Sequence, residues 1–138
     1  MADRVKKVAY VYVMLPNRAG QGARILEALR QAGVNLLAFH AFPAGGAKAQ
    51  ADLVAEDNAA LRRVAKKNGW KLSSSKKAFI VQGDDRVGAA ERHFARLAEA
   101  GINVVANSAI AAGQGRYGMI LWVKPKDYAR AARALGAR

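Results

Sequence analysis

Two short stretches carry residue types that can hold a small charged molecule. Asn17-Arg18-Ala19-Gly20-Gln21 and Asp84-Asp85-Arg86-Val87-Gly88 each place a glycine just ahead of a segment whose apolar residues recur at helical spacing. Glycine admits a positive φ and close approach of a ligand to the backbone. The free N–H groups and dipole of a helix N-terminus favour an anion, and the carboxylate of an amino acid suits such a place. Asn17 and Asp85 offer an oxygen to an ammonium group. Asn35 and Asn103 follow Gly33-Val34 and Gly101-Ile102 and add amide donors and acceptors. The candidate ligand set is therefore Asn17, Arg18, Ala19, Gly20, Gln21 and Asn35 in one stretch of chain, and Asp85, Arg86, Val87, Gly88 and Asn103 in another.

No other grouping reads as catalytic. His40 and His93 are the only histidines, and neither has an acidic or second histidine partner at ligand spacing, so no metal is expected. Asp84 and Asp85 are adjacent and would not converge as an acid–base pair. Ser73-Ser74-Ser75 has no base motif beside it and reads as strand or linker. Gly113-Gln114-Gly115 is hairpin-turn chemistry; no Lys-Ser/Thr follows, as a phosphate loop would require. There is no cysteine, which removes disulfides and thiol catalysis together. The expectation is a non-enzyme without a cofactor.

The chain has 138 residues and a net charge of +13, from 23 Lys and Arg against 10 Asp and Glu. The basic excess is spread along it: 13 basic and 5 acidic residues up to position 76, then 10 and 5. That pattern reads as an Arg-rich solvated surface rather than a basic tail. The apolar run Val8–Leu15 is far too short to cross a bilayer, and the N-terminus shows no signal-peptide pattern. A cytoplasmic protein with no membrane partner is expected.

The elements that must position these loops come from a duplication. Ala32-Gly33-Val34-Asn35 matches Ala100-Gly101-Ile102-Asn103 at an interval of 68 (103 minus 35). The same interval aligns Arg18 with Arg86, Gly20 with Gly88, Arg24 with Arg92, Leu29 with Leu97 and Ala44-Gly45 with Ala112-Gly113, with no gap. Two units are expected, 1–76 and 77–138. In the first, Val8–Leu15 reads as a strand, Ile25, Leu26 and Leu29 as a helix ended by Gly33, and Val34–Phe42 as a second strand. Pro43-Ala44-Gly45-Gly46 reads as a turn and Ala47–Ala55 as a third strand. A helix capped by Asp57 or Asn58 follows, and a fourth strand starts at Trp70. The second unit repeats this with strands at 78–83, 102–110 and 117–123 and helices at 89–100 and after Pro125, but reaches Arg138 without an obvious fourth strand. The fold class is α+β: two tandem ferredoxin-like βαββαβ units, antiparallel sheets with helices on one face. The missing strand leaves an edge open to pairing.

At its strand–loop–helix segments the chain resembles the ACT domain family. That pattern is a strand, an acidic or polar pair, Arg-Pro-Gly, an amphipathic helix, then Gly-(Val/Ile)-Asn. Here it stands as Asn17-Arg18-Ala19-Gly20 with Gly33-Val34-Asn35, and as Asp85-Arg86-Val87-Gly88 with Gly101-Ile102-Asn103. Ala19 and Val87 replace the usual proline, and His93 takes an apolar helix position. The resemblance covers nearly the whole chain. It implies a stand-alone regulatory protein that binds an amino acid or similar effector at ACT–ACT interfaces, works as a homodimer, and acts on a separate enzyme if it regulates one.

Two rivals stand beside it. The βαββαβ order and the basic charge also resemble RNA-binding RRM domains, with Val11-Tyr12-Val13 and Arg116-Tyr117-Gly118-Met119-Ile120 as partial motif matches. Against this, Arg116 stands where a glycine belongs, Ile80 duplicates Tyr12, and many cations lie on the helices rather than with the aromatics. Nucleic acid is therefore the weaker reading. The other rival is a ligand-free oligomerisation scaffold.

Overall fold

The computed structural model describes residues 3–138. Strands β1 (Arg4–Pro16), β2 (Leu36–Gly45), β3 (Lys48–Ala55), β4 (Lys76–Asp84), β5 (Val104–Gly113) and β6 (Arg116–Val123) accompany helices α1 (Gln21–Gln31), α2 (Asn58–Asn68), α3 (Glu91–Glu99) and α4 (Tyr128–Leu135). A single 3-10 turn at Pro125–Asp127 leads into α4. The chain divides into two compact units, residues 9–76 and residues 3–8 together with 77–138. This differs from a simple division at 76/77, because β1 begins in one unit and ends in the other.

In the unit of residues 9–76 the strand order is β2-β3-β1, antiparallel, with Val11 opposite Leu53 and Ala41 opposite Ala51. The period-2 alternation of β1 and β3 sends Val11, Val13, Ala51, Leu53 and Ala55 to the side covered by Ile25, Leu29, Leu61 and Val64 of the two helices. Asp57 caps α2, its carboxylate accepting from the Ala60 N–H at 3.1 Å. The expected fourth strand is reduced to one bridge, Leu72 with Val13. Beside it the Ser73 N–H donates to Tyr12 O and the Tyr12 N–H to Ser73 Oγ, both at 2.9 Å. The chain then departs for β4, which leaves no length for more pairing.

In the other unit β6 lies between β4 and β5, and β1 lies beside β4. The core is Phe79, Val81, Leu97, Ile102, Met119, Leu121 and Leu135, together with Val5 from the start of β1. The strand that this half lacks in sequence is therefore supplied by the chain's first residues. Only Val5 among residues 3–7 is apolar, so no strand period marks the segment. The Arg138 N–H donates to Val5 O at 3.1 Å, and the Lys7 N–H to Arg138 O at 3.2 Å, which ties this strand to the α4 end as well.

The repeat extends to backbone irregularities. Register shifts at Leu36/Ala38 and Pro43/Gly45 recur at Val104/Ala106 and Ala111/Gly113. Both hairpins close through two residues at positive φ, Gly46 (60°) with Ala47 (58°) and Gln114 (54°) with Gly115 (70°), the type I′ geometry that matches strand twist. Pro43-Ala44-Gly45 thus stays in β2 as a bulged strand end rather than forming the turn. Pro43 is tolerated there because β2 is an edge strand within its unit.

Candidate functional site

The two expected loops share one construction. The Asn17 N–H donates to Ala47 O at 2.9 Å, and 68 residues on, the Asp85 N–H donates to Gly115 O at 2.8 Å. Each hairpin tip therefore pins the loop before the helix. Gly20 has φ +90° and Gly88 φ +73°, with no atom within 4 Å of where a Cβ would be. Within the chain these glycines serve the left-handed backbone, which side chains rarely adopt. Asn17, Arg18, Ala19 and Gly20 are exposed, and α1 begins without a side-chain cap. Asp85, Arg86, Val87 and Gly88 are exposed as well.

Asn35 does not join its loop. It lies past the far end of α1, a helix of 11 residues, so about 16 Å long. Its Nδ2 donates to Glu56 Oε1 at 2.9 Å while the Glu56 N–H donates to Asn35 O at 3.0 Å, a clamp between β2 and the turn after β3. Asn103 is exposed, and Lys124 stands where Glu56 does in the other unit.

Gln21 does line a cavity. A cleft of about 800 Å³ lies where the 68–73 segment diverges from β1, and α1 forms a further wall. Its floor and walls are Val13, Leu15, Ile25, Ala28, Trp70 and Leu72. Its charged lining is Arg24, Lys48 and Lys71, with no carboxylate. Among the described residues none of these three cations forms an ion pair. Sequence reasoning missed them as a group. Arg24 was visible only as a repeat match, and nothing in the spacing of 24, 48 and 71 brings them together before the sheet is built.

The same place in the other unit is filled. Arg92 and Arg116 correspond to Arg24 and Lys48 at the 68-residue interval, and each holds a carboxylate: Arg92 Nη2 lies 2.9 Å from Asp3 Oδ1, and Arg116 Nη1 2.6 Å from Asp84 Oδ1. Asp3 Oδ2 also accepts from Tyr117 Oη at 2.6 Å and His93 Nε2 at 2.7 Å. The carboxylate identifies His93 Nε2 as the protonated nitrogen. His93 Nδ1 is buried without a partner. The Asp3 side chain is only 3% exposed. Burial pushes its pKa up, but hydrogen bonds from Tyr117, His93 and Arg92 outweigh this and hold it at about 2. Burial, and then the bond to Asp3, pushes Tyr117 up to about 12. Gly83 makes room: a Cβ there would collide with the Asp3 carboxylate and lie 2.9 Å from the Tyr117 ring. In the unit of residues 9–76, Leu15 and Ile25 of the cleft lining hold the positions of Gly83 and His93, and Ala49 holds that of Tyr117.

Asp84, read above only as a neighbour of Asp85, is paired with Arg116, whose hydrogen bond lowers its pKa. Tyr117, the aromatic of the RRM-like match, is buried on the helix side and hydrogen-bonded to Asp3, so it offers no stacking platform. Among the described residues no group of His, Cys, Asp and Glu could hold a metal, and no helix is long and apolar enough to cross a membrane.

The six strands and four helices define an α+β protein whose fold is like that of regulatory subunits of aspartate kinase. The solved structures it resembles are specific. A Bacteroides thetaiotaomicron protein superposes with a TM-score of 0.80 at 14% identity, over 96% of this chain and 88% of that one. The ligand-free regulatory subunit of aspartate kinase from Thermus thermophilus gives 0.61 at 16%, over 98% and 93%. That from Thermus flavus gives 0.55 at 21%, over 98% and 94%. At such identities the likeness is one of fold. No family model and no curated protein sequence matches the chain.

Proposed function

We propose that this protein is a non-catalytic ACT-type regulatory module that binds a small effector through its carboxylate or a similar anionic group. The observation that carries the reading is the cleft beside the β1–α1 loop. It is lined by Gln21 and three unpaired cations and adjoins a helix N-terminus that no side chain caps. A pocket of a few hundred to about a thousand Å³ with an apolar floor and few polar groups suits a metabolite. The regulatory aspartate kinase subunits of the same fold support the role.

In this reading Asn17–Gln21 forms the effector loop, and Asp85–Gly88 is a structural copy whose anion site the chain itself fills. Asn35 and Asn103 act from a second chain where they act at all, because within one unit Asn35 lies beyond the opposite end of α1. Strands β2 and β5 are each the edge of their unit and expose Leu37, Phe39, Val105 and Ile110. Pairing of such an edge with a second copy gives the homodimer. Effector binding that favours one quaternary arrangement would then regulate a separate enzyme in trans.

The test is a thermal-shift screen of the full chain against the twenty amino acids and small organic and phosphate-bearing acids, with sedimentation in parallel. A ligand of the native state raises the melting temperature. A shift of several degrees with one or a few of these compounds is expected, with a change in sedimentation. The absence of any shift would sink the effector reading and leave a constitutive scaffold.

A further inference from the structure

The two units present one site in two states, and the filled one shows what the open one lacks. In the unit of residues 3–8 and 77–138, each of the two repeat-related cations has its own carboxylate, Asp3 on Arg92 and Asp84 on Arg116. In the unit of residues 9–76 the equivalent cations Arg24 and Lys48 have none, and Lys71 adds a third positive charge. Pro16 stands where Asp84 does. The carboxylate of Asp3 lies against Gly83, whose counterpart Leu15 lines the open cleft.

We infer that the open cleft takes a compact doubly anionic molecule, a dicarboxylate or a phosphate ester, whose charges do for Arg24, Lys48 and Lys71 what Asp3 and Asp84 do for Arg92 and Arg116. This rests on the reading above that the cleft is an effector site. It differs from that reading in the ligand's charge. A zwitterionic amino acid would bring an ammonium group into a lining with three cations and no carboxylate to receive it. Desolvating that group without a partner is unfavourable, whereas a second anionic group gains charge-assisted hydrogen bonds. The apolar floor leaves room for a short carbon skeleton between the two charges.

The experiment is isothermal titration of the full chain with succinate, inorganic phosphate and pyrophosphate, and with the ammonium-bearing amino acids lysine, a net cation, and glycine, a zwitterion. At least one dianion should bind, with affinity falling tenfold or more in Arg24→Ala and in Lys71→Ala. Arg62→Ala, on α2 outside the cleft, should leave it unchanged. All three side chains are exposed, so the variants should fold, and their melting temperatures check this. Succinate without the phosphates identifies a carboxylate ligand, and the reverse a phosphate. Binding of lysine or glycine without any dianion overturns this inference and keeps the effector reading. Equal loss in Arg62→Ala means diffuse charge attraction and overturns it too. No binding by any probe, together with a flat thermal-shift screen, removes both.

Discussion

The two halves of this molecule share a backbone down to their bulges and hairpin turns, yet treat the same place oppositely. At one, Gly83, His93 and Tyr117 surround a carboxylate brought by the chain's own third residue. At the other, Leu15 and Ile25 line a cleft with cations at its rim, and Ala49 stands in place of Tyr117. Three substitutions on a common frame convert an apolar wall into a carboxylate receptor. The contrast teaches that a duplicated fold can keep its hydrogen-bonded ladder while its charge is balanced from within in one copy and left unbalanced in the other.

The largest test of that contrast is to remove the internal anion. Asp3→Ala leaves a buried histidine, a buried tyrosine hydroxyl and a half-buried arginine without their common partner. It is expected to cost about 3 kcal/mol in urea unfolding. A loss below about 1 kcal/mol would mean that the cluster does not hold residues 3–8 in place. The pH dependence has a definite sign. Asp3 has a lowered folded pKa of about 2 against an ordinary 3.8. Its contribution is therefore present above pH 4 and is lost as pH falls through 2. The wild-type and Asp3→Ala stability curves should converge across that window and stay apart above it.

A gentler change makes the filled site resemble the open one. The double variant Asp3→Val, His93→Ile removes the charge together with its most buried partner and restores the apolar residue found at Ile25. Replacing a buried ionic group by apolar side chains is often neutral or stabilising, so the double variant should recover at least half of the loss seen in Asp3→Ala. Additive losses in the two single variants would break the comparison, because His93 would then have a role apart from Asp3.

The smallest effect concerns a second buried carboxylate, in the unit of residues 9–76. Asp52 is 4% exposed and accepts from Gln50 Nε2 at 2.9 Å. Its pKa is raised, chiefly by burial, although Gln50, His40 and Lys76 pull it down. The sign is opposite to that of Asp3: its contribution is complete below the unfolded pKa and is lost as pH rises through the raised folded value. Asp52→Asn should therefore stabilise by up to about 1 kcal/mol at pH 7, and the gain should vanish near pH 3. Destabilisation at pH 7 would show instead that the charged form is held by its neighbours.

Much of the scaffold was legible because it rests on local periodicity. Strand alternation in β3 and β6, helical spacing at Ile25 and Leu29, the Asp57 cap and the 68-residue interval all lie in short windows of sequence. The loops 17–21 and 85–88 were legible for the same reason: a glycine before a helix announces itself. Two features were not. Residues 3–8 alternate as a strand with a single inward apolar side chain, Val5, so nothing local marks them or says which unit they join. The partner of His93 lies 90 residues away, beyond any spacing rule for ligands or dyads.

By itself, then, the sequence determined the duplicated α+β frame and where its loops fall, because backbone periodicity and turn chemistry act between neighbours along the chain. Only the tertiary structure decided which cations are neutralised and which remain free. That balance depends on Asp3 and Asp84 meeting Arg92 and Arg116 across the sheet while Arg24, Lys48 and Lys71 meet no carboxylate. A hydrogen-bonded ion pair requires its two groups to meet in space and takes no account of their distance along the chain.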